Sequence, residues 1–235
     1  MRLDNFLVEN NLASSRTKAQ EHIKNSLVKV DDKIITKPSF KVEIDANVEV
    51  GEHDNYVSRS AHKLNEFLNE LNLDITDTSC LDIGSSTGGF TQVLLERGVK
   101  EVSAVDVGSN QLHETLRSDA RVHSYENTDI RKFQSDKKFG VVVSDVAFIS
   151  LLYILDDVDR LASNKIILLF KPQFEVGRGI KRDKNGVVID KKAIKDAMIK
   201  FEDACELKGW KLMQKSPSKL TGKDGNLEYC YYFLK

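Results

Sequence analysis

The chain has 235 residues, 40% of them hydrophobic and 30% charged, with 35 lysines and arginines against 36 acids, the balance of a globular protein rather than a disordered or fibrous one. Its apolar runs, such as Ile166 to Phe170, fall far short of the roughly 20 residues a bilayer span requires, and Met1-Arg2-Leu3-Asp4-Asn5 offers neither the apolar core nor the cleavage site of a secretory signal. Cys80, Cys205 and Cys230 are widely spaced and form no CxxC pair, so neither a disulfide framework nor a zinc site is indicated and a cytoplasmic location is expected.

The first 50 residues read as a small α+β unit. Leu3, Phe6 and Leu7 recur at helical spacing. Ser14 and Ser15 can cap a second helix that turns Ala19 and Ile23 inward and Arg16, Lys18 and Lys24 outward. Asn25-Ser26 is a turn signal. Val28 and Val30 predict a strand, Asp31-Asp32 a turn, and Ile34-Ile35 a second strand interrupted by Pro38. Phe40, Val42 and Ile44, then Val48 and Val50, alternate again. Gly51 to Asn55 is polar and acidic. These signals set a first domain at residues 1–52, a linker at 53–60 and a second domain at 61–235.

From Arg59 onward strands and helices alternate. Leu64, Phe67, Leu68 and Leu71 form a helical stripe; Cys80 to Ile83 reads as a buried strand; Phe90 to Arg97 as a helix ended by Gly98; Val102 to Val107 and Val141 to Val146 as further strands. Phe148, Leu151, Leu152, Leu155 and Val158 recur at helical spacing, Ile166 to Phe170 is a strand, and Ile194 to Leu207 a long helix. Trp210 to Gln214 and Leu227 to Leu234 close the chain as two strands, whose short link suits a hairpin better than a crossover. The βαβ alternation predicts an α/β fold with a mostly parallel, Rossmann-like sheet and an antiparallel closing strand.

One loop carries most of the chemistry. Leu81-Asp82-Ile83-Gly84-Ser85-Ser86-Thr87-Gly88-Gly89-Phe90 leaves a strand through small residues and enters a helix, which lets backbone approach a ligand closely. Ser86 stands where a GxGxxG fingerprint needs glycine, and no Gly-Lys-Ser/Thr follows, so neither a dinucleotide nor a triphosphate is the first choice. About 20 residues on, Asp106 ends a second strand, where a doubly wound fold places the acid that binds a ribose diol. Asp129 is placed to hold an adenine amino group. Glycines, a strand-end acid and a second acid are the layout of S-adenosylmethionine-dependent methyltransferases.

Further motifs narrow the reading. Val57-Ser58-Arg59-Ser60-Ala61-His62-Lys63-Leu64, Ser144-Asp145-Val146-Ala147-Phe148-Ile149-Ser150-Leu151, Phe170-Lys171-Pro172-Gln173-Phe174-Glu175-Val176-Gly177-Arg178 and Gly225-Asn226-Leu227-Glu228-Tyr229 follow in order. With Leu81 to Phe90 they resemble FtsJ-type ribose 2'-O-methyltransferases, and the whole chain resembles the TlyA family, often labelled haemolysin A. The resemblance implies a catalytic tetrad at Lys63, Asp145, Lys171 and Glu228, a cofactor site from Asp82, Gly84, Ser85, Ser86, Thr87, Gly88, Gly89, Phe90, Asp106 and Asp129, and methylation of cytidine ribose in ribosomal RNA. Ser60-Ala61 replaces the family's usual glycine pair and Ala147 its serine. A ribose hydroxyl is a poor nucleophile, so aiming it and removing its proton are the tasks. A second lysine nearby could lower an amine's pKa for that purpose. Lys171 is expected to aim or deprotonate the hydroxyl, Asp145 to orient Lys171, and Lys63 and Glu228 to complete the network, with no metal.

Arg2-Leu3-Asp4, Ser15-Arg16-Thr17-Lys18-Ala19 and Val28-Lys29-Val30 resemble the RNA-binding fold first recognised in a small-subunit ribosomal protein. That implies phosphate contacts from Arg2, Arg16, Lys18 and Lys24. Arg59 is a further RNA-binding candidate, and the basic stretch Arg178 to Lys184, with Arg178, Lys181 and Arg182, reads as a second RNA contact or a mobile lid over the cofactor, with Gly177 and Gly179 allowing movement. The expected partner is ribosomal RNA within a subunit, more readily the large-subunit 23S than the 16S RNA because the chain looks like a short form. A small-molecule methyltransferase would leave residues 1–50 unexplained. A non-catalytic ribosome-assembly protein would not need an intact cofactor loop. A membrane-active haemolysin would need an amphipathic or apolar segment, and none is evident.

Overall fold

The computed structural model describes residues 1–24, 26–43, 46–51 and 56–235. It divides into two units, Met1–Arg59 and Ser60–Lys235. The turn read at Asn25, the end of the alternation at Ile44 and most of the acidic stretch up to Asn55 lie outside the described residues.

In the first unit, helices α1 (Leu3–Glu9) and α2 (Arg16–Lys24) precede strands β1 (Val28–Val30), β2 (Lys33–Ile34) and β3 (Val48–Val50), which pair antiparallel in the order β2-β1-β3. The i,i+4 pairs Leu3/Leu7 and Ala19/Ile23 put one face of each helix into a core shared with Val28, Val30 and Val42. Ser15 caps α2 by accepting the Lys18 N–H at 3.2 Å. The alternation over Phe40 and Val42 does not become a strand. Behind Pro38 the chain turns, with the Phe40 N–H on the Lys37 carbonyl, and only Lys41 makes an isolated bridge, to Arg2.

The second unit opens with helix α3 (Ser60–Leu71), which begins inside the span read as linker. Strand β4 (Ser79–Ile83), helix α4 (Gly89–Glu96), strand β5 (Glu101–Val105), helix α5 (Glu114–Arg117) and strand β6 (Val122–Tyr125) follow. Then come β7 (Phe139–Ser144), a 3-10 turn (Leu151–Tyr153), α6 (Leu155–Leu161), β8 (Ala162–Phe170), α7 (Pro172–Glu175), α8 (Lys191–Glu206), β9 (Lys211–Pro217) and β10 (Tyr229–Leu234). The seven strands lie in the order β6-β5-β4-β7-β8-β10-β9. The first five are parallel; β10 runs antiparallel to both β8 and β9, as a closing hairpin requires. Val141, Val142 and Val143 on β7 are all fully buried, the two-sided burial of a central parallel strand. Each such side chain contributes about 1.5–3 kcal/mol relative to exposure.

The helical stripe read from Phe148 to Val158 is corrected in its first half. Phe148 has φ +66° and is 92% exposed, and the chain remains irregular until the 3-10 turn. A carboxylate distant in sequence holds it so: Glu175 accepts from the Ser150 hydroxyl and, at 2.8 Å, from the Leu151 N–H. Among the described residues no helix is long and apolar enough to cross a membrane.

Candidate active site

Topology gathers the chemistry at one edge of the sheet. From β4 the chain builds outward through β5 and β6, then returns to β7 on the other side of β4, so the strand order reverses between β4 and β7. Ligands of doubly wound sheets bind at that switch point, beyond the strands' carboxyl ends. Gly84 follows β4 and Asp145 follows β7 there. Because β10 is antiparallel, with Tyr229 opposite Phe170, its amino end meets the carboxyl end of β8. Glu228, just before β10, therefore arrives beside Lys171, just after β8.

The four tetrad residues form two ion pairs. Lys171 Nζ lies 2.6 Å from Asp145 Oδ1 and 3.4 Å from the Asp145 carbonyl oxygen. Lys63, on the first turn of α3, places Nζ 2.6 Å from Glu228 Oε2. The side chains are 11% and 15% exposed in the first pair and 9% and 3% in the second, so water screens neither strongly. The Lys171–Asp145 oxygen contact is a charge contact by distance, set off the line of a hydrogen bond. Each lysine faces a carboxylate. Both pairs share one neighbourhood, because the buried Cys230 thiol, pushed up to about 12 chiefly by burial, also feels Lys63, Asp145 and Glu228. Gln173 donates from Nε2 to Glu228 Oε1 at 3.2 Å, and Asn226, itself buried, accepts the Val188 N–H at 3.0 Å.

The glycine loop is a cradle. Gly84 has φ +80°, and a Cβ there would sit 3.1–3.2 Å from Val146. Gly88, at the start of α4, has φ +99°, and a Cβ would strike the Leu116 side chain at 2.3 Å. Ser86, where the dinucleotide fingerprint has glycine, also adopts positive φ, +48°, a conformation costing about 1–3 kcal/mol in a non-glycine residue. Its N–H donates to Asp106 Oδ2 at 2.8 Å, while Gly108 N–H donates to Asp106 Oδ1 at 2.7 Å. Ser85 N–H reaches the Val105 carbonyl, His113 N–H the Thr87 carbonyl, and Gly89 and Phe90 are buried at the start of α4.

Asp82 is fully buried. Its Oδ2 accepts from the Thr91 hydroxyl at 2.7 Å, and its Oδ1 has no hydrogen-bond partner among the described residues. Burial, reinforced by Asp145 and Asp106, pushes its pKa up to about 7. Asp129 lies on the loop after β6, tied to Asp106 by the Thr128 N–H on the Asp106 carbonyl at 2.8 Å. Its carboxylate is engaged by the Arg131 guanidinium and backbone N–H, which hold it down at about 2.

The basic residues fall into three situations. Arg2 grips buried Asp4 through Nε and Nη2, both at 2.9 Å, and Arg16 Nε reaches Asp4 Oδ2 at 3.1 Å. Lys18 pairs with Glu21 at 2.9 Å. Lys24, Arg178 and Lys181 are exposed, and Arg59 is half-buried. Arg182 is spent on its own loop: its guanidinium donates to the carbonyls of Gln173, Gly177, Arg178 and Ile180. Sequence reasoning missed Asp4, Gln173, Glu126 and the exposed ring of Phe148, which packs on Phe174 at 5.4 Å. A positive-φ aromatic three residues after Asp145 has no local sequence signal.

This fold, with acids and a glycine cradle on one side of the switch point and paired lysines on the other, defines a methyltransferase. Comparison agrees: residues 56–235 match the FtsJ-like methyltransferase family and residues 1–48 the S4 domain. The chain is 45% identical, over all of both chains, to a protein of Campylobacter jejuni named 23S rRNA (cytidine-2'-O)-methyltransferase TlyA. It is 38% identical to the 16S/23S rRNA (cytidine-2'-O)-methyltransferase TlyA of Mycobacterium tuberculosis, covering 97% of this chain and 87% of that one. A solved Streptococcus thermophilus structure carried under the hemolysin label superposes with a TM-score of 0.75 at 32% identity, over 100% of this chain and 88% of that one. The chain belongs to the TlyA family of FtsJ-like methyltransferases.

Proposed function

We propose that this protein transfers a methyl group from S-adenosylmethionine to the 2'-hydroxyl of a cytidine in ribosomal RNA, with 23S RNA of the large subunit as the first substrate to test, and that it works in the cytoplasm. The observation that carries this reading is the pair of nearly buried lysine–carboxylate contacts, Lys171–Asp145 and Lys63–Glu228, at the switch point. Carboxylates alone would serve many small-molecule reactions; two lysines held at fixed positions suit an oxygen nucleophile that must be aimed.

The chain's own residues fit the cofactor. Gly84 and Gly88 leave space that a side chain would fill. Asp106, with each carboxylate oxygen holding one backbone N–H, keeps free lone pairs for a ribose diol. The unpartnered Asp82 Oδ1 favours positive charge nearby. Asp129 is assigned to the adenine amino group. When bound, S-adenosylmethionine supplies a methyl group already made electrophilic by its sulfonium. Asp145 would fix Lys171, and Lys171 would aim the 2'-oxygen in line with the methyl carbon; as the C–O bond forms and the sulfonium C–S bond breaks, the neutral thioether would leave and the hydroxyl proton would pass by way of the network's carboxylates to water. Lys63 and Glu228 hold the second side of that network, buttressed by Gln173. Phe148, exposed and next to this machinery, offers a face for a base removed from its stack.

In the first unit, Arg2 and Arg16 keep donors beyond those Asp4 uses, and with Lys18 and Lys24 they are assigned to phosphates. Arg59, Arg178 and Lys181 are further candidates, whereas Arg182 acts by shaping its loop.

The test is methyl transfer from labelled S-adenosylmethionine to isolated large and small subunits from cells lacking the gene, with Lys171→Ala in parallel. Label at an alkali-resistant cytidine linkage, absent with the variant, is the expected result. Intact cofactor binding without label on either subunit would overturn the substrate assignment.

A further inference from the structure

Glu126 lies just beyond β6 and has no place in the mechanism above, yet its surroundings are unusually specific. Its Oε2 accepts the Asn110 N–H at 2.9 Å, and its Oε1 accepts the Gln111 and Leu112 N–H groups at 2.8 and 3.2 Å. Arg117 adds a contact at 3.2 Å. Three consecutive amide N–H groups thus converge on one carboxylate, whose side chain is only 19% exposed. The Asn110 N–H above all, with the Leu112 and Gln111 N–H groups and Arg117, holds the carboxyl below its ordinary range.

The segment so gripped is mostly exposed at its side chains. Ser109, Asn110 and Gln111 are exposed; only Leu112 is buried, and it lies over Gly88 in the glycine loop. The same segment meets Asp106 through Gly108. Gly108 N–H donates to Asp106 Oδ1, and the Gln111 carboxamide is folded so closely over Gly108 that a Cβ there would lie 1.9 Å from Gln111 Nε2 and 3.1 Å from Asp106 Oδ1. From the Glu126 side, the next two residues close the clasp: Asn127 N–H reaches the Gly108 carbonyl and Thr128 N–H the Asp106 carbonyl, both at 2.8 Å.

We infer that Glu126 is a positioning residue for cofactor binding, ordering residues 108–112 so that Asp106 and the Gln111 carboxamide stand fixed beside the glycine loop. The inference rests on the S-adenosylmethionine reading, since it gives Asp106 a ligand to be positioned for. Glu126 touches neither cofactor nor RNA in this role. Its effect passes through the segment.

The test uses the full-length protein with Glu126→Ala and Glu126→Gln. Losing these charged hydrogen bonds should weaken S-adenosylmethionine binding by about tenfold in Glu126→Ala, measured by calorimetry. Amide hydrogen exchange at residues 110–112 should accelerate, while kcat at saturating cofactor and RNA affinity stay near wild type. Glu126→Gln keeps one accepting oxygen but sets an amide N–H against the Asn110 N–H, so an intermediate loss is expected. The Asp106→Asn/Glu126→Ala double variant should lose less than the two single losses combined, because both act on one site. Faster exchange with unchanged cofactor affinity would make Glu126 a loop brace only and overturn the inference. Additive losses would overturn the route through Asp106. A wild-type protein that binds no S-adenosylmethionine would instead sink the cofactor reading, and this inference with it.

Discussion

The two units use buried carboxylates in opposite ways. In the first, Asp4 is fully buried while its partners Arg2 and Arg16 remain 43% and 57% exposed. In the second, Asp145 and Glu228 hold lysines that are themselves only 11% and 9% exposed. The first arrangement leaves its cations open to solvent; the second encloses them. An arginine whose fork is half used by a carboxylate still has donors for a phosphate, whereas an enclosed lysine acts on whatever single atom is placed before it.

Four experiments break or sharpen this contrast. The largest effect is expected inside. Lys171→Ala should lower the rate of methyl transfer by roughly 10²–10⁴, with cofactor affinity near wild type, as read by single-turnover kinetics and calorimetry. Lys171→Met, which preserves bulk, should do the same if charge and geometry rather than packing are at stake.

Next comes Asp4→Asn, which removes the buried anion from two half-exposed arginines and should destabilise the first unit by about 1–2 kcal/mol. The effect should have a definite pH dependence. Arg2, then Gln20 and Arg16, hold the Asp4 carboxyl well below the usual range against the cost of burial. A depressed folded-state pKa stabilises above the unfolded value near 4 and loses that contribution as pH falls through the folded one. The stability gap between wild type and Asp4→Asn, followed by hydrogen exchange in residues 1–43, should therefore be constant from pH 7 to about 5 and close in stronger acid.

Asp82→Asn should behave in the reverse sense. Burial raises Asp82 to about 7, so between the unfolded carboxylate value and 7 the folded state binds the extra proton and stability falls as pH rises. The variant, which cannot ionise, should be favoured over wild type more at pH 8 than at pH 5 in urea melts. An equal difference at both values would mean that Asp82 does not titrate in this range.

The smallest effect is expected outside. Arg16→Ala should weaken RNA binding by a few-fold and reduce the slope of log affinity against log salt by about one. An unchanged slope would remove Arg16 from the phosphate contacts.

The strand-and-helix alternation, the glycine loop and Asp106 were legible because their signals are local: apolar runs, small residues at a turn and an acid at a strand end. The tetrad residues are too far apart for spacing to join them, and only the order of five motifs marked them out. What escaped depends on partners distant in sequence. The stripe at Phe148 has helical period, but Glu175 seizes Ser150 and Leu151 and keeps the chain irregular. Arg182 looks like any loop arginine until four carbonyls turn toward it. Asp4 and Glu126 look like surface acids. Their importance comes from which N–H groups and guanidiniums the fold turns toward them, and no residue pattern encodes that.

The antiparallel β10 has a consequence for how activity appears during folding. Asp145 and Lys171 are 26 positions apart and can meet once β7 and β8 are paired. Lys63 must find Glu228 across 165 positions, a closure whose entropic cost grows with the logarithm of the loop and which cannot be completed until the sheet accepts its antiparallel strand. A chain arrested before that step would carry a folded first unit and half a tetrad. It could occupy RNA without modifying it. With the role proposed for Lys63 and Glu228, methyl transfer should be a late reporter of folding, and in a refolding experiment it should lag behind the recovery of helical signal.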